Sequence, residues 1–297
     1  MLRLRAPAKV NLYLRVVGKR PDGYHEIETV FERIDLADEL TFEEQSQEIT
    51  LTCTEPTLSC GDENLILKAA RLLQHTGRTN RGVRIHLTKR IPIAAGLGGG
   101  SSDAAATLLG LNALWGLELE PQELIRLSAR LGSDVPFFLG GDPFAIGRGR
   151  GEVCETLQTT RRLAHVLVCP NVPLSTKAIY ESAQFDLTAP KPSLTMVTHA
   201  LSNGSLGELA HGLWNDLEPE AIRRCPVITR IQSQLLQLGC MSAHVSGSGP
   251  SVFGLCRDFA HAQDVAAQLQ TLSPSSWRVE PIQTDGASCA VTSSRVM

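Results

Sequence analysis

Residues 91–107 read Ile-Pro-Ile-Ala-Ala-Gly-Leu-Gly-Gly-Gly-Ser-Ser-Asp-Ala-Ala-Ala-Thr, and this stretch decides the fold. Its glycines allow left-handed backbone torsions and let a ligand approach the main chain closely. Serine is a favourable N-cap, so we expect a helix to begin near Ser101 or Ser102. A glycine loop that leads into a helix N-terminus offers unpaired N–H groups and the positive end of the helix dipole. The stretch therefore predicts an anion site, and a phosphate chain is the natural anion.

Two familiar phosphate loops do not match this stretch. It lacks the Gly-Lys-Ser/Thr ending of a P-loop, and it lacks a Gly-x-Gly-x-x-Gly pattern with an acidic residue about 20 positions further on. Taken alone, the glycines are equally compatible with a flexible loop before an ordinary helix. However, residues 83–88 alternate apolar and polar side chains and predict a strand directly before the loop. Strand, glycine loop and helix, in that order, are the context that a nucleotide site needs.

The whole-chain composition narrows the class of protein. With 297 residues the chain can form one large or two ordinary domains, and a formal net charge of −3 gives no electrostatic basis for binding nucleic acid. The N-terminal residues lack the continuous apolar segment of a secretory signal, and no apolar run reaches the length of a membrane span. Eight cysteines without a Cys-x-x-Cys pair predict free thiols, and hence a cytoplasmic protein.

The remaining pattern predicts alternating strands and helices. Residues 2–17 read as two short strands, and a helix capped by Asp62 should end at Gly77. A further helix should run from Pro121 to Gly132. Residues 242–282 predict a β-β-α-β unit, and the small, polar tail from Thr284 is expected to be poorly ordered.

Three polar residues stand out but have ordinary alternatives. Lys9 and Asn11 are two positions apart, so an extended segment would place them on the same side. They could equally be solvated residues on an edge strand. Asp134 lies at the start of an apolar segment, where it could cap a short helix or serve in chemistry.

Three segments together resemble the GHMP kinases, a family named for galactose, homoserine, mevalonate and phosphomevalonate. They are Ala-Pro-Ala-Lys-Val-Asn-Leu-Tyr-Leu at 6–14, the glycine loop at 92–106 and Ser-Gly-Ser-Gly-Pro-Ser-Val-Phe at 246–253. The resemblance implies a two-lobed α/β fold of the α+β type, with the active site in the cleft between the lobes. It places the N-terminal lobe at residues 1–155 and the C-terminal lobe at 156–297.

The resemblance also implies the chemistry and most of the site. ATP would be the phosphoryl donor, with Mg²⁺ neutralising its phosphates and no direct protein ligand to the metal predicted. Asp134 would orient or deprotonate the acceptor hydroxyl, and Lys9 would keep that carboxylate ionised and stabilise the transferring phosphoryl. The residues implied to bind ATP are Asn64, Lys89, Pro92, Gly96, Leu97, Gly98, Gly99, Gly100, Ser101 and Ser102.

Further segments narrow the acceptor substrate. Lys-Arg-Pro-Asp-Gly-Tyr-His-Glu at 19–26 and Gly-Ser-Asp-Val-Pro-Phe-Phe at 132–138 resemble the family members whose acceptor carries a cytidine. Tyr24 and His25 match the base site, and Tyr180 stands where a second aromatic residue would complete a sandwich around the base. Asn11 would help to hold the alcohol or its diphosphate. The partner is thus a small molecule; the oligomeric state stays open.

Two other functions remain compatible with these motifs. The chain could be another small-molecule kinase of the family, such as a mevalonate or homoserine kinase, although Gly-Tyr-His at 23–25 has no evident use there. It could also be a catalytically silent nucleotide-binding protein, although both Lys9 and Asp134 are present.

Overall fold

The protein is built from two β-sheets with helices packed against them. Its computed structural model describes residues 1–203 and 205–286. The larger sheet contains β1 (Leu2–Lys19), β2 (His25–Gln45), β3 (Ile49–Cys53), β4 (Gly82–Thr88), β5 (Phe144–Arg148), β6 (Val153–Thr156) and β8 (Trp214–Asn215). The smaller sheet contains β7 (Ala164–Cys169), β9 (Ser242–Val245), β10 (Val252–Cys256) and β11 (Arg278–Gln283), in the order β11-β7-β10-β9. Its pairings are all antiparallel.

Ten helices pack on these sheets within the described residues. They are α1 (Leu65–Thr76), α2 (Gly99–Trp115), α3 (Pro121–Ser128), α4 (Val135–Leu139), α5 (Thr176–Ser182), α6 (Leu194–Asn203), α7 (Leu206–Gly212), α8 (Glu218–Arg224), α9 (Val227–Gln237) and α10 (Phe259–Leu272). No helix in this part of the chain is both long and apolar enough to cross a membrane.

The first strand is longer than the sequence pattern predicted. Residues 2–17 were expected to form two short strands, but β1 is continuous and pairs with β2 along its whole length. The pairing shifts register at three places: between Pro7 and Ala8, between Asn11 and Tyr13, and between Val16 and Gly18. Such irregularities bend a strand without ending its pairing. The bends look like strand ends in the sequence, which explains the error.

Helix α2 is the central helix of the first half. It is buried along most of its length and packs on β1, β2 and α1 in one apolar core. Gly77 ends α1 as predicted, but the predicted cap was wrong: Asn64, not Asp62, accepts the N–H of Ile66 at 2.9 Å. The carboxylate of Asp62 instead pairs with Arg71.

The second half ends in the predicted β-β-α-β unit, formed by β9, β10, α10 and β11. The predicted start of the loose tail was wrong by at least two residues. Thr284 and Asp285 are buried, and the N–H of Thr284 donates to the carbonyl of Leu163 at 3.0 Å. Residues 287–297 lie outside the described part. Because β8 comes from the second half of the chain and pairs with β1, the boundary near residue 155 stays a prediction.

Candidate active site

The glycine loop leads into α2 through a left-handed residue. Helix α2 begins at Gly99, and its N-cap is Gly98 with φ 69°, so the prediction of a serine cap was wrong. A Cβ atom at Gly98 would lie 3.0 Å from Cγ of Lys9 and 3.0 Å from the Phe138 ring. The positive φ and this close packing both require glycine, and they outweigh the capping preference of serine. The loop therefore lies directly against Lys9.

The start of α2 fits a phosphate chain. The first N–H groups of a helix have no intrahelical partner and, with the helix dipole, favour an anion. Among the described residues, the buried hydroxyl of Ser102 has no hydrogen-bond partner. A phosphate oxygen or a cation that travels with the phosphates would satisfy it. The start of α2 therefore presents backbone N–H groups with the Ser102 hydroxyl buried beside them, and phosphate binding there stays a prediction.

Lys89 has two carboxylate partners beside the start of α2. Its ammonium lies 2.5 Å from Asp38 and 2.9 Å from Asp103, and all three side chains are buried. Burial raises the pKa of Asp103 to about 7 against the opposing effect of Lys89. Burial alone would lower the pKa of Lys89, but the two carboxylates hold that pKa above its ordinary value. These contacts hold α2 to the end of β4, so the charge of Lys89 already has a structural use.

Asn64 also has a structural use in the described chain. Its side-chain oxygen caps α1, and its Nδ2 donates to the carbonyl of Ser59 at 2.7 Å. Both hydrogen bonds hold the turn before α1. The implied contact of Asn64 with the nucleotide stays a prediction, as does that of Lys89.

Lys9 and Asp134 come together beside the loop. Nζ of Lys9 lies 3.5 Å from Oδ2 of Asp134, and the backbone N–H of Lys9 donates to the carbonyl of Leu97 at 3.0 Å. Asp134 is at the N-cap position of α4, yet its side chain accepts no capping hydrogen bond from the described residues. The capping alternative for Asp134 is therefore not supported. Its side chain is 30% exposed, so the carboxylate contacts the lysine and is also partly open to solvent.

Asn11 connects Lys9 to the C-terminal glycine motif. Its Oδ1 accepts from Nζ of Lys9 at 2.5 Å, and its backbone N–H lies 3.4 Å from the hydroxyl of Ser246. That hydroxyl donates to the carbonyl of Gly96 at 3.0 Å. The three segments that resemble the kinases, at 6–14, 92–106 and 246–253, are thus in direct contact.

Two of the three predicted base-binding residues, His25 and Tyr180, form an aromatic group with Phe185 near the turn before β2. His25 stacks on Tyr180 with ring centroids 5.4 Å apart, and Phe185 meets His25 edge-on at 5.1 Å. Burial, with a smaller effect of Lys19, lowers the pKa of His25, so the imidazole is neutral near pH 7. Tyr24 is 55% exposed and does not pair with Tyr180 here. A base held between Tyr24 and Tyr180 stays a prediction.

Sequence reasoning missed two side chains in this group. The guanidinium of Arg150 lies 4.9 Å from the centroid of the Tyr24 ring, and Phe185 covers an edge of His25. The repeated glycines of Gly-Arg-Gly-Arg-Gly-Glu at 147–152 are typical of a tight turn, and this turn carries Arg150. Gly149 and Gly151 have positive φ values in the structure. A Cβ at Gly151 would lie 3.8 Å from Oδ1 of Asp134, so this turn borders the proposed chemistry.

Comparison with known proteins decides the family. The model "GHMP kinases N terminal domain" matches residues 64–142, and "GHMP kinases C terminal" matches residues 198–274. A 4-diphosphocytidyl-2-C-methyl-D-erythritol kinase of Pelotomaculum thermopropionicum is 43% identical over 89% of this chain and 92% of its own length. The chain belongs to the GHMP kinase family.

Other members of the GHMP kinase family support the same placement. A relative of the same name from Enterococcus faecalis is 41% identical over 88% of this chain and 92% of its own length. A crystal structure of 4-(cytidine 5'-diphospho)-2C-methyl-D-erythritol kinase is 36% identical, with a TM-score of 0.80 over 96% of this chain and 100% of that one. A homoserine kinase from Cytophaga hutchinsonii, at 18% identity and a TM-score of 0.76, shares the fold. The predicted two-lobed α/β kinase fold is confirmed.

Proposed function

We propose that this GHMP kinase transfers the γ-phosphoryl group of ATP to the 2-hydroxyl of 4-diphosphocytidyl-2-C-methyl-D-erythritol, giving the 2-phosphate and ADP. The reaction belongs to the non-mevalonate route of isoprenoid synthesis. The names of relatives at 36–43% identity over most of the chain support this substrate. The observation that carries the mechanism is the Lys9–Asp134 pair at 3.5 Å beside the glycine loop.

The donor site is proposed at the start of α2. ATP would place its phosphates along Gly96–Ser102, where backbone N–H groups and the helix dipole favour negative charge. The ammonium of Lys89 is engaged by Asp38 and Asp103. The proposed donor site therefore relies on backbone N–H groups rather than on a P-loop lysine. Mg²⁺ would neutralise part of the phosphate charge, and the unpartnered hydroxyl of Ser102 is a protein oxygen that fits it.

Asp134 and Lys9 are proposed to serve the transfer itself. The acceptor oxygen forms a bond to the γ-phosphorus as the bond to the β–γ bridging oxygen breaks, and the hydroxyl proton passes to Asp134. The ammonium of Lys9 lies beside the carboxylate of Asp134 and offsets charge on the transferring group. Asp134 is 30% exposed, so an acceptor hydroxyl can approach its carboxylate from solvent.

The aromatic group is proposed to recognise the cytosine. Neutral His25 can both donate and accept hydrogen bonds, as the edge of a base requires. Tyr24, Tyr180 and Phe185 supply flat apolar surface on which a base can stack. Such stacking is strong and does not depend on which base is bound. Arg150, held over Tyr24, adds a positive charge near the place where a nucleoside diphosphate would lie.

A coupled ADP-release assay tests the proposal. The purified protein should convert the cytidylylated methylerythritol rapidly and should leave mevalonate and homoserine essentially unused. Equal turnover of mevalonate or homoserine would favour another kinase of the family. Nucleotide binding without turnover of any of the three alcohols would favour a silent binding protein.

A further inference from the structure

A fully buried threonine stands behind the proposed catalytic pair. Thr29 lies on β2, and its side-chain hydroxyl donates to the backbone carbonyl of Tyr13 at 2.6 Å. A hydroxyl carries one hydrogen, so with that hydrogen engaged it presents only lone pairs to other neighbours. In every other direction Thr29 can therefore only accept.

This polarity sets the orientation of the Asn11 carboxamide. Nδ2 of Asn11 donates to the Thr29 hydroxyl at 2.8 Å, which turns Oδ1 toward Nζ of Lys9 at 2.5 Å. The reversed carboxamide would place its oxygen against the lone pairs of Thr29. It would also place its N–H₂ group against the ammonium of Lys9. Both contacts would be repulsive, so one orientation is strongly favoured.

The position of the Lys9 ammonium follows from this orientation. Its contact with Asn11 at 2.5 Å is shorter than its contact with Asp134 at 3.5 Å. A lysine side chain has four flexible carbons, so an acceptor at a fixed place decides where its charge sits. We propose that Thr29 is a positioning residue for phosphoryl transfer, which through the carboxamide of Asn11 fixes the Lys9 ammonium beside Asp134. This inference rests on the proposed roles of Lys9 and Asp134.

The variant Thr29→Val removes the hydroxyl at nearly constant size. We expect kcat to fall by about 10- to 100-fold, since displacements of about 1 Å at a reacting centre have effects of that order. KM for ATP should stay near the wild-type value, because neither Thr29 nor the Asn11 carboxamide that it orients is among the residues implied to bind ATP. Thr29→Ser keeps the hydroxyl and should restore most of kcat. Thr107→Val is the matched control: its buried hydroxyl also donates to a backbone carbonyl, that of Asp103 at 2.7 Å, and kcat should be unchanged.

A mutant cycle with Asn11→Ala separates positioning from general loss of stability. If Thr29 acts through Asn11, Thr29→Val should change kcat little in the Asn11→Ala background. A full additional loss there, wild-type kcat in Thr29→Val, or a Thr29→Ser variant as slow as Thr29→Val would each overturn the inference. If Thr29→Val does not fold, Thr29→Cys, with a weaker acceptor, carries the same expectations.

Failure of this inference can be told apart from failure of the proposed function. A Lys9→Met variant with normal kcat would refute the proposed role of Lys9, and the inference with it. A slow Lys9→Met variant beside a normal Thr29→Val variant would refute the role of Thr29 alone.

Discussion

Replacing Asp134 by asparagine is the sharpest test of the proposed chemistry. The change keeps the size of the side chain and removes its charge and basicity. At the observed 3.5 Å, the attraction to Lys9 is about 5 kcal/mol at an effective dielectric constant of about 20, before screening through the exposed face of Asp134. Loss of a general base lowers kcat by about 10²- to 10⁴-fold, or about 3–5 kcal/mol. We therefore expect a loss in that range while both substrates still bind.

The assay is steady-state kcat and KM for ATP and the acceptor in Asp134→Asn, Lys9→Met and the double variant. Lys9→Met should also lower kcat, because the cation that offsets charge on the transferring phosphoryl group is gone. Residues that act as one unit lose most of their joint contribution at the first substitution, so the double variant should be little slower than the slower single variant. Asp142→Asn is the control: it removes the same charge, close in sequence, where the carboxylate contacts Gln158.

Three results would contradict this reasoning in different ways. Near-normal turnover in Asp134→Asn would remove Asp134 from the mechanism. Strict additivity in the double variant would leave both residues important but would show that they do not act as a pair. A comparable loss of kcat in Asp142→Asn would mean that the effect of charge removal is not local.

Three further perturbations test the rest of the site. Gly98→Val should weaken ATP binding in calorimetry, because the new side chain meets Lys9 and the Phe138 ring at a positive φ. Gly116→Val, also at a positive φ but in open space, should leave ATP binding unchanged, and equal effects of the two variants would contradict the loop assignment. Tyr24→Ala should raise KM for the cytidylylated acceptor by the equivalent of about 1–3 kcal/mol and spare ATP affinity, and an unchanged KM would exclude stacking on Tyr24. Asp103 has its pKa raised from 3.8 to about 7, so the folded state binds this proton more tightly than the unfolded state does. That contribution to the free energy of unfolding is complete below pH 3.8 and is lost as the pH rises through about 7. In urea unfolding, the free energy of unfolding of the wild type should therefore fall relative to that of Asp103→Asn as the pH rises from 3.8 to about 7. Parallel pH curves for the two proteins would refute the raised pKa of Asp103.

The sequence was most informative where local chemistry decides the structure. The glycine loop, the helix end at Gly77 and the final β-β-α-β unit all depend on residues that are close in the chain, and the structure has them where they were expected. The start of α2 was misplaced because it depends on a left-handed torsion at Gly98, packed against Lys9 and Phe138. Capping preference is a weak guide where tertiary packing excludes a side chain.

The missed features depend on contacts between distant parts of the chain. Lys89 contacts Asp38, which lies 51 residues away in the sequence, and no local pattern around either residue predicts that pair. Thr284 read as part of a loose tail, but its hydroxyl donates to buried Glu32, which also meets His165 at 2.8 Å. Periodicity reports which face of an element is apolar; it does not report which distant polar group satisfies a buried one. The hydrogen-bond partner of a buried polar side chain could therefore be identified only from the structure.

The glycine loop takes its shape from both halves of the chain, and its carbonyl groups show how. The carbonyls of Ala95, Gly96 and Leu97 accept, respectively, the N–H of Ser251, the hydroxyl of Ser246 and the N–H of Lys9. With three successive carbonyls engaged by donors of the protein, part of the negative charge on those oxygens is offset. Repulsion of a phosphate by the loop's own oxygens is thereby reduced, and the N–H groups ahead of α2 are left to attract it. If the loop binds phosphate as proposed, the N-terminal Lys9 segment and the C-terminal Ser-Gly-Ser-Gly-Pro-Ser segment support that binding even where neither touches the anion, which is a physical reason for the three motifs to occur together in one chain.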